Sequence, residues 1–155
     1  MTPGIMAAKK AKVAYRLHEY THDAGHSSYG LEAAEKMGVA ASRVFKTLVV
    51  SLDHKTLAVA VVPVSCTLVM KSMAKACGAK KAQMAEPAEV ARATGYVLGG
   101  VSPLGQKKRL PTVIDLSANE HATVYVSAGR RGLEIELAPG DLAALLQADM
   151  ASIAV

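Results

Sequence analysis

Two apolar, β-branched segments separated by only three residues constrain the fold of this chain most. Phe45–Leu52 reads FKTLVVSL, residues 56–62 read TLAVAVV, and Asp53, His54 and Lys55 lie between them. Two such runs joined by three to five residues are typical of a β-hairpin. The sheet therefore contains antiparallel strands, and the strict β-α-β alternation of a Rossmann-type sheet is absent.

The rest of the chain predicts further strands and several helices around this hairpin. Strands are expected at 112–116, 123–127 and Leu133–Leu137, the last two linked by residues 128–132. Helices are expected at 6–18, 31–37, 71–77, Pro87–Thr94 and 141–147, with Gly38, Gly78 and Gly95 just after three of them. The pattern favours a single α+β domain over residues 1–155, with a central mixed, mostly antiparallel sheet and helices outside.

Composition and charge narrow the class of protein. The chain has 155 residues, 51% of them hydrophobic and 20% charged, which suits one globular domain. A net charge of +5 and a pI of about 9.3 suit a partner that carries phosphates, or merely a soluble surface. Cys66 and Cys77 form no CxxC motif, so we expect reduced thiols in a cytoplasmic protein. The sequence shows no signal peptide and no uncharged run long enough to span a bilayer.

A glycine-rich stretch at residues 95–111, GYVLGGVSPLGQKKRLP, ends in three consecutive cations. The spacing from Gly100 to Gly105 fits a phosphate-binding Walker A loop, but Gln106 stands where that loop requires lysine. Two interpretations remain open. Gly99 and Gly100 could offer N–H groups to a carbonyl or phosphate oxygen, or the stretch could be a turn followed by a solvated charge run.

Three histidines recur at every fourth residue, at positions 18, 22 and 26. This spacing could gather metal ligands on one face. Gly25 and two following serines interrupt the regularity, however, and no acidic or cysteine partner is fixed. The sequence therefore predicts neither a metal nor a cofactor.

Several motifs together resemble the YbaK family of trans-editing aminoacyl-tRNA deacylases, relatives of the insertion domain of bacterial prolyl-tRNA synthetase. The motifs are VFKTLVV (44–50), LAVAVVPV (57–64), GAKK (78–81), the glycine-rich stretch, and YVSAGRRGLEIEL (125–137). The resemblance covers nearly the whole chain. It implies a mixed sheet curled around a pocket, release of cysteine from mischarged Cys-tRNA(Pro) or Cys-tRNA(Cys), and prolyl-tRNA synthetase as a partner. It implies no membrane or DNA partner.

The resemblance also implies roles for particular residues. Lys46 matches the family's essential lysine and would hold the terminal phosphate or ribose of the tRNA, although an edge-strand lysine facing water would look the same. The amides of Gly99 and Gly100 would face the developing oxyanion. The expected substrate-binding residues are Tyr20, Tyr29, Thr47, Ser127 and Glu134, with Tyr29 in place of phenylalanine and Glu134 in place of aspartate. The tRNA backbone would meet Lys107, Lys108, Arg109 and Arg130.

The sequence lacks a nucleophile motif, and no histidine is tied to either cysteine. Because a cysteinyl ester carries its own thiol, we predict substrate-assisted cleavage in which the protein supplies positioning. Two alternatives stay open: a deacylase for another mischarged tRNA such as Ala-tRNA(Pro), and a non-catalytic tRNA-binding module.

Overall fold

The computed structural model describes residues 1–25 and 28–155, and these form five α-helices and eight strands. The helices are α1 Pro3–Ala11, α2 Tyr29–Met37, α3 Met70–Ala76, α4 Pro87–Thr94 and α5 Pro139–Leu146. The strands are β1 Tyr15–Glu19, β2 Phe45–Leu52, β3 Thr56–Pro63, β4 Ala82–Met84, β5 Thr112–Asp115, β6 Val124–Arg130, β7 Leu133–Leu137 and β8 Asp149–Ala151. Of these helices, none is both long and apolar enough to cross a bilayer.

The predicted hairpin is the centre of the larger sheet, whose strand order is β4-β2-β3-β5-β8. Strands β2 and β3 pair antiparallel from Phe45 opposite Pro63 to Leu52 opposite Thr56. β5 pairs in parallel with β3, and β8 pairs in parallel with β5. At the other edge of the sheet, β4 pairs antiparallel with β2. Asp53 turns the chain with a φ of 52°, and its carboxylate accepts the N–H of Lys81 at 2.8 Å, which fixes the turn beside β4.

The other strands form a separate antiparallel sheet in the order β1-β7-β6. One isolated bridge between Val44 and Tyr125 joins it to the larger sheet. The α+β class and the mostly antiparallel pairing are thus confirmed, but the sheet is in two parts rather than one. The register of β6 against β7 shifts between Ser127 and Arg130, as it does at a β-bulge.

The prediction of one helix over residues 6–18 is wrong. α1 starts earlier, after Thr2, whose hydroxyl accepts the N–H of Ile5 at 3.2 Å. It ends at Ala11 because Lys12 adopts the left-handed conformation, with a φ of 58°. The residues that follow form β1, which pairs with β7 more than 110 residues later. Residues 6–18 therefore span two elements, α1 and β1. The short strands β4 and β8 were not predicted.

The hydrophobic core occupies three regions. The main one lies between the two sheets and includes Phe45, Ile114 and Ile135. The second lies on the other face of the larger sheet, where Met73 of α3 packs. The third is small and packs α2 against the outer face of the smaller sheet through Ala33, Ala34, Val44, Val64 and Tyr125. Ala33 and Val44 of this region also line a pocket beside α2.

The glycine-rich segment serves close contact between backbones. A Cβ on Gly105 would lie 2.4 Å from the carbonyl of Pro3, and one on Gly100 would lie 2.9 Å from Cα of Arg130. Neither contact tolerates a side chain. Gly105 and Gly100 thus need a bare backbone to pack the segment against α1 and the β6–β7 turn, although Gly100 was predicted to face a ligand.

Gly30 and Gly140 provide a matched test of how closely α2 packs against Val64, because each is the second residue of a helix. A Cβ on Gly30 would lie 2.3 Å from Cγ1 of Val64, whereas a Cβ on Gly140 meets no atom within 4 Å. We expect Gly30→Ala to lower the free energy of unfolding by about 1–3 kcal/mol, and Gly140→Ala to leave it unchanged or raise it by up to about 1 kcal/mol. Urea denaturation measures both. Adding Val64→Ala should relieve the clash in Gly30→Ala, and equal effects of the two single substitutions would contradict the packing.

Candidate active site

A cavity of about 240 Å³ opens where α2 begins, β2 begins, and the ends of β6 and β7 meet. It is smaller than the roughly 300–1,000 Å³ of pockets that hold drug-sized ligands, so it suits a small group. Its wall consists of Tyr20, Ser28, Tyr29, Gly30, Ala33, Val44, Phe45, Lys46, Thr47, Leu48, Leu98, Gly99, Val101, Ser127 and Glu134.

Strand β2 brings Lys46 and Thr47 to the cavity. Phe45 and Val49 belong to the main core, and Lys46 between them lines the cavity. No ion pair or hydrogen bond to the Lys46 ammonium forms within residues 1–25 and 28–155. The Oγ1 atom of Thr47 is buried, and it too has no hydrogen-bond partner in the described chain. A buried hydroxyl without a hydrogen-bond partner costs free energy and is rare in folded proteins.

Glu134 on β7 supplies a buried carboxyl group to the same cavity, with only 6% of the residue exposed. Burial raises the pKa of this carboxyl from 4.5 to about 8, because the charged form loses its hydration. At neutral pH the group is therefore mostly a neutral acid that can donate a hydrogen bond. Its partner across the strand pair is Ser127, which also lines the cavity.

Two aromatic side chains flank the opening. Burial, and then the negative charge of Glu134, raise the pKa of the Tyr20 phenol. Tyr29 lies against Gly99, where a Cβ would come within 3.0 Å of its ring, and Gly99 has a φ of 91°. Both facts disfavour a larger residue at Gly99. The guanidinium of Arg131 also lies over the Tyr29 ring, with its Cζ atom 4.3 Å from the ring centroid.

Arg131 is itself held by a fully buried carboxylate. Its Nε and Nη2 atoms donate to Oε1 of Glu32 at 3.2 and 3.0 Å, and Glu32 is 0% exposed. Oε2 of Glu32 accepts the N–H of Asp23 at 2.8 Å. This network ties α2 to the β6–β7 turn and so fixes the tyrosine between them.

The structure brings together seven of the eight residues predicted for catalysis and substrate binding: Lys46, Gly99, Tyr20, Tyr29, Thr47, Ser127 and Glu134. Gly100 lies behind the wall, and its N–H donates to the carbonyl of Val97 at 3.0 Å. The N–H of Gly99 donates to no group in the described part of the chain.

The four predicted tRNA-backbone cations lie outside this cavity. Lys107, Lys108 and Arg109 are exposed, and the last two line a separate groove. Arg130 is exposed and 3.8 Å from the carboxylate of Glu19.

Sequence reasoning missed Glu32 and Arg131. A buried helical glutamate gives no periodic signal, and nothing in the sequence distinguishes Arg131 from its neighbour Arg130. Of the three regularly spaced histidines, His18 binds Glu136 at 2.8 Å, whereas His26 lies outside the described residues. In the part of the chain that is described, no three metal-ligating side chains cluster.

The fold is that of solved structures with closely similar topology. A crystal structure described as "hypothetical protein APE2540" superposes with a TM-score of 0.88 at 27% identity over 99% of both chains. Another, described as "a putative trans-editing enzyme for prolyl tRNA synthetase", gives 0.85 at 23% identity, covering 97% of this chain and 94% of that one. At that identity the second match establishes the fold alone.

With this fold and pocket, the chain belongs to the aminoacyl-tRNA editing domain family, whose model matches residues 26–145. A relative from Enterococcus faecalis carries the name "Putative Cys-tRNA(Pro)/Cys-tRNA(Cys) deacylase EbsC". It is 37% identical over 152 residues, which cover 98% of this chain and 92% of the relative. The family resemblance of the sequence motifs is thereby confirmed.

The raised pKa of Glu134 predicts a pH-dependent stability. Between pH 4.5 and about 8 the folded state binds a proton that the unfolded state does not, so the free energy of unfolding falls as pH rises. Glu134→Gln removes this dependence. We expect the stability of the variant relative to the wild type to rise by up to about 4 kcal/mol between pH 5 and pH 8, measured by urea denaturation.

Asp53→Asn is the control, because hydrogen bonds from the backbone N–H groups of Lys81 and Lys80 lower the pKa of the Asp53 carboxyl. Its contribution to stability is present above the ordinary value and is lost only as pH falls through the lowered pKa. The donors are backbone amides, which do not titrate, so the difference between this variant and the wild type should stay constant from pH 5 to pH 8. A constant difference for Glu134→Gln as well would contradict the buried neutral acid.

Proposed function

We propose that the protein is a trans-editing deacylase that releases cysteine from mischarged Cys-tRNA(Pro), and also from Cys-tRNA(Cys), in the cytoplasm. The proposal rests on one observation: the wall of a single small cavity includes both Lys46, which has no ion pair in the described chain, and Gly99, whose N–H donates to no described group. An aminoacyl ester at the end of a tRNA offers both a phosphate and a carbonyl oxygen. The name of the Enterococcus faecalis relative supports the same substrates.

The reacting group is the thiol of the substrate. Its sulfur attacks the ester carbonyl carbon, and the bond between that carbon and the ribose oxygen breaks. The ribose oxygen takes up the proton that the thiol loses, and the resulting thiolactone is opened by one water molecule to give free cysteine. The wall of the cavity includes no histidine or cysteine among the described residues, so we assign positioning of the substrate to the protein.

Each residue of the cavity has a role in that positioning. Lys46 holds the terminal phosphate or the ribose, and the N–H of Gly99 donates to the carbonyl oxygen as it becomes negative. Tyr20 and Tyr29 stack on the terminal adenine, an interaction worth about 1–3 kcal/mol per base. Thr47 and Ser127 offer hydroxyl groups, and the neutral Glu134 donates a hydrogen bond to the aminoacyl end. The N–H of Gly100 donates to the carbonyl of Val97, and this hydrogen bond holds the turn that contains Gly99.

The tRNA body extends beyond so small a cavity. Lys107, Lys108 and Arg109 are exposed cations on the segment that forms one wall, and they suit contact with the phosphate backbone. Arg130 suits such a contact once it leaves Glu19. Prolyl-tRNA synthetase is the proposed partner that presents the mischarged tRNA.

Deacylation assays test the proposal directly. We expect the purified protein to deacylate Cys-tRNA(Pro) rapidly and to leave Pro-tRNA(Pro) intact. Ser-tRNA(Pro), which lacks the thiol, should react at least about 10³-fold more slowly, because intramolecular attack is lost. Lys46→Ala should lower the rate on Cys-tRNA(Pro) by about 10²-fold or more, since the ester is no longer held in place.

Lys55→Ala is the matched control, because it removes one exposed lysine from the turn that follows the same strand. It should leave the rate within twofold of the wild type. Fast deacylation of Ala-tRNA(Pro) but not of Cys-tRNA(Pro) would show that the protein releases alanine and not cysteine. Tight tRNA binding without any deacylation would make the protein a binding module.

A further inference from the structure

The two apolar side chains that precede the glycine pair are unusually exposed. Val97 is 73% exposed and Leu98 is 76% exposed, and among the large apolar residues described only Met1 and Val155, at the chain ends, are more so. A single exposed leucine needs no explanation, since much of any protein surface is apolar. Two adjacent ones beside a candidate active site form a candidate contact surface for a ligand. We call Val97 and Leu98 the apolar tip.

The apolar tip is held in place by a tight turn. The N–H of Gly100 donates to the carbonyl of Val97 at 3.0 Å, and Gly99 has a φ of 91°. A glycine with positive φ at the third of four positions is typical of a type II turn, whose second position here belongs to Leu98. Tyr96, just before the turn, is buried and donates its hydroxyl to a backbone carbonyl at 2.6 Å. A ligand that covers the tip therefore meets an ordered surface and loses little free energy in fixing it.

The tip begins in the wall of the proposed active site and continues outside it. Leu98 lines the cavity together with Gly99, whereas Val97 does not. Because Leu98 lines the cavity and is still largely exposed, it lies at the rim. A cavity of about 240 Å³ suits a small group, so the nucleotides that precede the aminoacylated one lie outside it. A strand that leaves the cavity at this rim meets Leu98 first and Val97 next.

We propose that the apolar tip packs against the base of the nucleotide that precedes the aminoacylated one. The proposal rests on the proposed function for its choice of an RNA end as the ligand. In complexes with nucleic acids, side chains such as leucine insert against the faces of bases, and the bases of single-stranded RNA can be covered in this way. A phosphate would gain nothing here, because neither side chain of the tip carries a charge or a hydrogen-bond donor.

This contact differs in kind from the contacts inside the cavity. It touches the flat face of a base and not its edge, so it accepts every base. It touches the RNA and not the amino acid, so it strengthens binding of the strand without selecting among amino acids. Val97 and Leu98 are therefore positioning residues, which hold the terminal nucleotide at the cavity and take no part in the bond that breaks.

Fluorescence anisotropy with an uncharged acceptor-stem hairpin RNA tests the base contact. One RNA is intact, and a second lacks only the base of the penultimate nucleotide and keeps its phosphate. Removing the base should weaken binding to the wild-type protein about tenfold, because the leucine then stays exposed to water. Exchanging the base for any other should change the affinity by less than about threefold, since every base has a flat face.

The variant Val97→Thr/Leu98→Asn makes the tip polar at nearly constant size. It should bind the intact RNA about tenfold more weakly than the wild type does. Removing the base should then weaken its binding by less than about twofold, because two changes to one contact are not additive. Equal weakening for the intact and the baseless RNA would indicate a structural defect without a base contact and would overturn the proposal.

Met84→Gln is the matched control, because Met84 on β4 is an apolar residue that is 48% exposed and does not line the cavity. This variant should keep the full effect of base removal. A wild-type protein that is indifferent to the base would leave the tip to a protein partner and would also overturn the proposal. Matching thermal unfolding midpoints show that both variants are folded. If the tip variant does not fold, base removal with the wild type still decides.

The uncharged RNA separates this proposal from the proposed function. If the protein deacylates Cys-tRNA(Pro) but the tip variant keeps the full effect of base removal, the tip proposal alone fails. If no aminoacyl-tRNA is deacylated but the base effect is lost in the tip variant, the enzymatic proposal alone fails. Where both hold, the tip variant should show a KM for Cys-tRNA(Pro) raised about tenfold, with kcat within about twofold of the wild type.

Discussion

The ion pair between Glu32 and Arg131 is the interaction on which the geometry of the site depends. Glu32 is fully buried, and a buried carboxylate without its partner typically costs 3–5 kcal/mol. The pair must therefore stay together, and it links α2 to the β6–β7 turn. The same guanidinium lies over Tyr29, and Tyr29 lies against Gly99. The one ion pair therefore positions α2, the β6–β7 turn and the glycine-rich segment relative to one another around the cavity.

Glycine in this chain serves two physical needs that look identical in the sequence. Gly100 and Gly105 permit one backbone to touch another, which draws the glycine-rich segment onto the β6–β7 turn and onto α1. Gly99 instead combines a positive φ with contact against an aromatic ring at the cavity. The segment is rigid because of the first two, and that rigidity lets it form a wall of one cavity and of the neighbouring groove.

Much of the fold follows from local signals, and the remainder depends on distant pairing. The β2–β3 hairpin and the glycine ends of α2 and α4 were predicted because short-range rules govern them. β1 was taken for helix because its partner β7 is more than 110 residues away. Most of the cavity was predicted through family resemblance, yet Glu32 and Arg131 were not. Their importance comes from mutual burial, which no single position reveals.

The charge balance of the cavity explains why a carboxyl group and an ammonium group can share it. Were Glu134 ionised at neutral pH, it would draw Lys46 into an internal ion pair or leave the cavity without net charge. Burial raises the pKa of Glu134 to about 8, and no interaction with Lys46 contributes to that shift. The carboxyl group is therefore mostly neutral at neutral pH and forms no ion pair with Lys46. A cavity with one free cation and one neutral donor favours a ligand that brings its own negative charge, as a phosphate or a developing oxyanion does.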